Sequence, residues 1–290
     1  MFIMFLLLVM LSLLSGGSTK VVQNFQTECG DYFYKKVTPT VLNGPQYRQI
    51  CQTLNDKPYF ATLYDTNNKI PVYSAYVFEG LKDCKRKSTW YIEPQLEDNN
   101  EGINMEPQGM YQYQASNEDY EKSGYHKGHL APVYHANSQG CSDATFTLTN
   151  AAPQYSSFNS GQWRIIENDM AITVLRNCVQ STAYIVTGVV PGNNFININI
   201  RVRVPSHFWT AYCCTNLISN RLISGGVIGI NSIDNLTPCQ KPVKGLEAEL
   251  KYLYNVQSFS LFDNNCRDAD FVPVTNPVTN PVTNRKRPRN

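Results

Sequence analysis

Gly124-Tyr125-His126-Lys127-Gly128-His129-Leu130-Ala131-Pro132 holds two of the chain's four histidines, and His135 follows three residues later. Working outward, the next dense block is Thr149-Asn150-Ala151-Ala152-Pro153-Gln154. It is followed by Asn159-Ser160-Gly161-Gln162-Trp163, with Glu167 eight residues past Asn159. Trp163, Ile166 and Met170 recur at helical spacing, so Asn159 to about Val174 is expected to be a helix. Thr145–Thr149 is expected to be a short strand ahead of it.

Further out the pattern is mostly of period two. Phe60–Tyr64 and Ile70–Val77 are β-rich runs on either side of an Asp/Asn turn and read as a hairpin. Residues 93–124 are polar and aperiodic and are expected to form a long surface loop. Ala183–Val190 fits a buried central strand. Pro191-Gly192-Asn193-Asn194 reads as a turn, and Ile196, Ile198, Ile200, Val202 and Val204 then alternate with Asn197, Asn199, Arg201 and Arg203. The two arginines mark a polar face that is either solvated or turned toward phosphate.

The 290 residues carry 25 Lys+Arg and 23 Asp+Glu, but Arg285, Lys286, Arg287 and Arg289 lie in the last six positions. Without them the body has no basic excess, which argues against general high-affinity binding by phosphate neutralisation. A hydrophobic content of 42% with 12% aromatics excludes a mostly disordered chain. Residues 1–18 begin with an uncharged apolar run and end in small residues, the grammar of a secretory leader. Residues 19–268 are expected to form one folded domain. Residues 269–290 are expected to be a disordered tail of Pro-Val-Thr-Asn repeats with a basic end. A secreted, extracellular protein with no stable membrane association follows, and nine cysteines fit disulfides with one left over. Cys213 and Cys214 are adjacent, so on a strand they face opposite ways and take different partners. Asn235-Leu236-Thr237 is a glycosylation sequon with Pro238 behind it.

An imidazole titrating near neutrality suits the removal of a proton from water. A hard divalent cation needs few protein oxygens, since Mg2+ keeps several waters. His129, Asn159 and Glu167 meet that minimum. On one continuous helix Asn159 and Glu167 stand ~12 Å apart, so Glu167 acts through a metal-bound water. Each residue also has a plainer reading: Asn159 as a helix N-cap, Glu167 as a solvated charge. A zinc site at His126, His129 and His135 lacks a fourth ligand spaced to join it.

The block resembles the DNA/RNA non-specific endonucleases of the ββα-metal (His-Me finger) class, whose signature is Asp-Arg-Gly-His followed by an Asn-bearing helix. The likeness extends to Phe60–Asp65, Ile70–Tyr76, Thr145–Gln154, Val204–Trp209 and the Cys29-Gly-Asp-Tyr-Phe-Tyr opening, and is nearest to the vertebrate endonuclease domain-containing 1 group. It implies an α+β fold with a central, mainly antiparallel sheet flanked by helices. It also implies His129 as general base, Asn159 as Mg2+ ligand (Mn2+ substituting), Glu167 as the carboxylate on the metal's water, and Asn150 as a supporting active-site residue. DNA and RNA are the implied substrates. Lys127 and Arg164 are the expected substrate contacts, with Arg201 and Arg203 as further candidate cations.

The departures from the family pattern are His126-Lys127 in place of Asp-Arg, and Val77 and Ala171 where bacterial members carry arginines. Lys127 keeps a charge but lacks the bidentate fork of arginine. The alternative implied is a catalytically silent nuclease fold that binds nucleic acid or a protein partner.

Overall fold

The computed structural model describes residues 21–196 and 201–274. The β-rich runs build one nine-stranded sheet in the spatial order β1-β2-β3-β4-β7-β8-β9-β10, with β11 also on β9. These strands are β1 (Val21–Val22), β2 (Tyr47–Leu54), β3 (Lys57–Asp65), β4 (Ile70–Phe78), β7 (Ala183–Ile196), β8 (Val202–Thr215), β9 (Leu222–Ile230), β10 (Cys239–Lys241) and β11 (Asp270–Phe271). Every pairing is antiparallel except β11 on β9. A separate antiparallel pair, β5 (Tyr125–His129) with β6 (Ala151–Tyr155), carries the histidine block.

Period-two alternation sorts the sheet's side chains onto two covered faces. One face sets Leu63, Ala75, Trp209 and Ala211 against Leu246 and Leu250 of the helix Val243–Leu253. The other sets Tyr76, Phe78, Ile185 and Tyr212 against Ile166, Met170 and Val174 of the helix Arg164–Asn177. In chain order we call three helices α1 (Gln139–Ala144), α2 (Arg164–Asn177) and α3 (Val243–Leu253). Cys213 and Cys214 point to opposite faces and bond to Cys266 and Cys178, while Cys29 bonds to Cys51. Each cross-link ties a peripheral segment to the sheet.

Several elements differ from the sequence expectation. Thr145–Thr149 is not a strand: Leu148–Asn150 forms a 3-10 turn and the strand begins at Ala151. Segment 93–124 is irregular but not simply surface, since Leu96, Met105, Gln114, Ala115 and Tyr120 are buried in it. Pro191–Asn194 does not close a turn. It is a bulged stretch of β7, still paired to β8 on both sides. The alternating positions 198 and 200 lie outside the described residues, as do 1–20 and 275–290. The folded part runs past 268, because Asp270–Phe271 joins β9 and Val274 is buried. Three thiols remain rather than one: Cys84, Cys141 and Cys239. No helix among the described residues is long and apolar enough to cross a membrane.

Candidate active site

Strand β5 aims its residues alternately to two sides. Lys127 and His129 share one side, where both meet the Trp90 ring, at 5.1 Å and 4.8 Å from its centroid. Gly128 belongs between them because a Cβ there would come within 2.3 Å of Gln154 Oε1. Gln154 of β6 is itself fully buried, with neither amide atom hydrogen-bonded. His126 faces the other way, is exposed, and its Nδ1 accepts from the Asn159 side-chain amide at 3.1 Å.

The His129 imidazole lies between Trp90 and Phe146, whose ring meets it edge-on at 4.9 Å between centroids. The residue is half-buried as a whole, yet its Nε2 is sealed from solvent and makes no hydrogen bond. Burial, aided by the positive charge of Arg86, holds its pKa down to about 3. The Arg86 guanidinium stands 5.3 Å from the Phe146 ring centroid. Segment 79–92 therefore covers the His129 ring.

Asn150 anchors the loop that leaves β5. Its Oδ1 accepts from the Ser74 hydroxyl and the Ala131 N–H, both at 2.9 Å. Its Nδ2 donates to the carbonyls of Ala131 and Thr145, both at 3.0 Å. Those four bonds exhaust an asparagine's capacity, so Asn150 ties the loop after His129 to β4 and to the Thr145 carbonyl. His135 is likewise fully engaged. A carbonyl only accepts, so Nε2–H donates to Glu167 O at 2.8 Å and Nδ1 accepts from Tyr76 O–H at 2.8 Å. Burial lowers its pKa to about 4. The three clustered histidines thus occupy three separate environments.

Asn159 does not start a regular helix. Asn159–Trp163 is a wide π-type turn with non-helical angles at Gly161, and α2 begins only at Arg164. The ~12 Å separation expected for one ideal helix therefore does not apply to Asn159 and Glu167. Asn235 holds the turn in place: its Oδ1 accepts the Gln162 N–H at 2.9 Å and its amide fills the space a Cβ on Gly161 would take. The sequon side chain is thus part of the site's scaffold. Because the Asn159 amide N–H is spent on His126, its Oδ1 remains as an unpartnered oxygen donor. Glu167 is half-buried on the first turn of α2, beside Tyr76 and His135. No hydrogen bond joins His129 to Asn159.

Lys127 donates to Asn117 Oδ1 at 2.6 Å and lies over Tyr120 as well as Trp90. Burial lowers its pKa, offset by Glu118 and Glu121. Arg164 is exposed and its Nε donates to Ser160 O at 3.1 Å. Arg201 and Arg203 do not converge on the site. Arg201 is spent on Asp119 and the carbonyls of Tyr111 and Gln114, and Arg203 on Asn68 and the Gly192 carbonyl. Ala171 is fully buried in the core. Sequence reasoning missed Arg86 and Trp90, gave Gln154 no role of its own, and read Asn235 only as a glycosylation sequon. The basic run Lys82-Asp83-Cys84-Lys85-Arg86-Lys87 was the available signal for the first two.

A family model described as DNA/RNA non-specific endonuclease matches residues 39–255. The Endonuclease domain-containing 1 protein of Homo sapiens is 31% identical over 255 residues, covering 84% of this chain and 48% of that protein. The mitochondrial Endonuclease G of Homo sapiens is 32% identical over 111 residues, covering 33% of this chain and 36% of that protein. This chain spans about half or less of the length of those curated relatives. A chain of the crystal structure of the EndoG/EndoGI complex superposes with a TM-score of 0.52 at 21% identity, covering 73% of this chain and 87% of that one. The architecture is the ββα-metal nuclease fold.

Proposed function

Because the chain belongs to the DNA/RNA non-specific endonuclease family, we propose that it is a secreted, Mg2+-dependent endonuclease hydrolysing phosphodiester bonds of DNA and RNA with His129 as general base. The observation that carries this reading is the buried, unpartnered Nε2 of a neutral His129 on a rigid strand. A buried nitrogen left without a partner costs roughly 1–3 kcal/mol, which a purely structural histidine has no reason to bear.

The residues present fit a hard cation. Asn159 Oδ1 is an oxygen of the donor type Mg2+ prefers, Mn2+ is an acceptable substitute, and the Glu167 carboxylate on the first turn of α2 would act through a metal-bound water. When bound, such an ion supplies charge neutralisation at the phosphate and the departing 3′-oxygen. The chain's own groups do the rest. His129 Nε2 takes a proton from the attacking water once Trp90 has swung off it. With the cover gone, its pKa returns toward the ordinary imidazole value, where a base works best at neutral pH. Lys127, Arg86 and Arg164 meet phosphate oxygens, and Asn150 keeps the loop after His129 in register. The leader-like residues 1–18 and the three disulfides support secretion. The mature chain then begins at Thr19.

Plasmid DNA and single-stranded RNA cleavage by the mature protein, with Mg2+ and with chelator, tests this beside a His129→Ala control. Metal-dependent cleavage lost in the variant is the expected result. The silent-site reading draws on the covered His129 and on His126-Lys127 in place of Asp-Arg. Its signature is nucleic-acid or protein binding that needs no metal and survives His129→Ala, with no cleavage by either protein.

A further inference from the structure

The three free thiols are not alike. Cys239 is exposed on β10 at the edge of the sheet. Cys84 and Cys141 are half-buried, and the segments that carry them are fastened together on either side of the two sulfurs. Asn137 Nδ2 donates to the Glu79 carboxylate, and the Lys82 N–H donates to Ala136 O at 3.1 Å. The Lys85 N–H donates to Gln139 Oε1, and Gln139 Nε2 donates back to Lys85 O, both at 2.9 Å. Lys87 Nζ pairs with Asp143 at 3.5 Å. Cys84 falls between the Lys82 and Lys85 contacts. Cys141 falls on α1 between Gln139 and Asp143.

Independently, the Cys141 thiol is pushed up to about 11 by burial, with the Cys84 sulfur near enough to add to the rise. Cysteine parity agrees as well. A fourth bridge here leaves Cys239 as the single unpaired thiol of the nine, which is what an odd count in an oxidising compartment leads one to expect.

We propose that Cys84 and Cys141 form a fourth disulfide that fastens segment 79–90 to α1 and so latches the Trp90 cover over His129. The cover consists of Arg86 and Trp90 on one side of the bridge and Phe146, just beyond α1, on the other. A bond between Cys84 and Cys141 closes the two halves on each other. The oxidant is a low-molecular-weight disulfide. One thiolate attacks its sulfur and releases a thiol, and the second thiolate then displaces the other half. Two electrons and two protons leave the cysteine pair, and the small disulfide becomes two thiols. With the bridge reduced, the segment is held by hydrogen bonds, a partly exposed ion pair and the contacts of Arg86 and Trp90 with the Phe146 and His129 rings, with no covalent tie, so that it can open locally. The inference concerns access to His129 and stands whether or not the site cleaves nucleic acid.

The test uses the full mature chain equilibrated with oxidised glutathione, denatured without reductant, alkylated and digested. The expected result is a joined Cys84–Cys141 peptide with one alkylated cysteine, Cys239. Alkylation at both Cys84 and Cys141 overturns the bridge. The latch is read by diethyl pyrocarbonate modification of His129, mapped by peptide mass. It should be several-fold slower in the oxidised protein than in Cys84→Ser, and than in wild type after mild reduction. The mildly reduced wild type keeps the comparison usable if Cys84→Ser folds poorly. Equal rates in oxidised and reduced protein overturn the latch.

Discussion

His129 and His135 lie six residues apart and both have their imidazole pKa pressed far below the ordinary value by burial, yet their surroundings are opposite. His135 spends both nitrogens on the fold, one on Tyr76 and one on the Glu167 carbonyl. His129 offers its one ring to Trp90 and Phe146 and keeps Nε2 unpaired. A satisfied buried histidine holds two elements together, here β4 and the start of α2. His129 ends strand β5 with its Nε2 unpaired beneath Trp90, the arrangement from which a reactive group is proposed. Depressed basicity alone does not distinguish the two; hydrogen-bond accounting does.

The largest effect expected of a substitution around this pair belongs to Asn150, which keeps the His129 loop as fully bonded as the His135 pocket. Asn150→Ala strands the Ala131 N–H and the carbonyls of Ala131 and Thr145 in the interior, and leaves the Ser74 hydroxyl with Thr62 alone. It should cost roughly 2–4 kcal/mol in urea unfolding; a loss below about 1 kcal/mol would mean the network is dispensable. Next comes the pH dependence of His135. Its folded pKa of about 4 lies below the ordinary 6.5, so the unfolded chain binds more protons between those values. The stability tied to the neutral ring is therefore complete above about pH 6.5 and is lost as pH falls toward about 4. Urea midpoints measured from pH 7.5 to 4.5 should fall less steeply in His135→Asn than in wild type. Parallel curves would remove His135 from the account.

Gly161→Ala probes the turn that presents Asn159. A Cβ would meet the Asn235 amide at 2.5 Å, displacing it from the Gln162 N–H. About 1–2 kcal/mol of lost thermal stability is expected, together with slower metal-dependent cleavage. The smallest effect on stability should come from Trp90→Ala, about 1 kcal/mol from lost ring contacts. The same change should speed carbethoxylation of His129 while leaving that of His135 unchanged. Faster modification of both would mean general loosening and not an uncovered base.

Much of this was readable in the chain itself, for definite reasons. The hairpin over Phe60–Val77 announced itself by β-rich runs around an Asp/Asn turn, and Cys213-Cys214 by strand alternation. His129, Asn159 and Glu167 stood out as candidates only through the family resemblance, because an Asn near a helix start and a Glu on a helix each have a plainer reading. At Thr145–Thr149, where a strand is expected, the Asn150 side chain instead bonds the Thr145 carbonyl beside a 3-10 turn at Leu148–Asn150. Pro191–Asn194 carries turn residues, yet Arg203 donates to the Gly192 carbonyl and β8 pairs straight past it as a bulge. The cover over His129 was hidden for a different reason. Trp90 and His129 come from segments with no periodicity between them, and only the folded chain stacks their rings.

The comparison is tested most directly by His129→Ala and His135→Ala made side by side, with thermal melting and Mg2+-dependent plasmid cleavage measured on each. In His129→Ala the lost ring contacts and the removed unpaired nitrogen offset each other, so stability should change by no more than about 1 kcal/mol. Cleavage should fall by ~10²–10⁴-fold. His135→Ala should melt markedly lower, its residual cleavage tracking the folded fraction. If His129→Ala instead cleaves as well as wild type, or if it loses as much stability as His135→Ala, then His129 is another structural histidine and the assignment of the base fails.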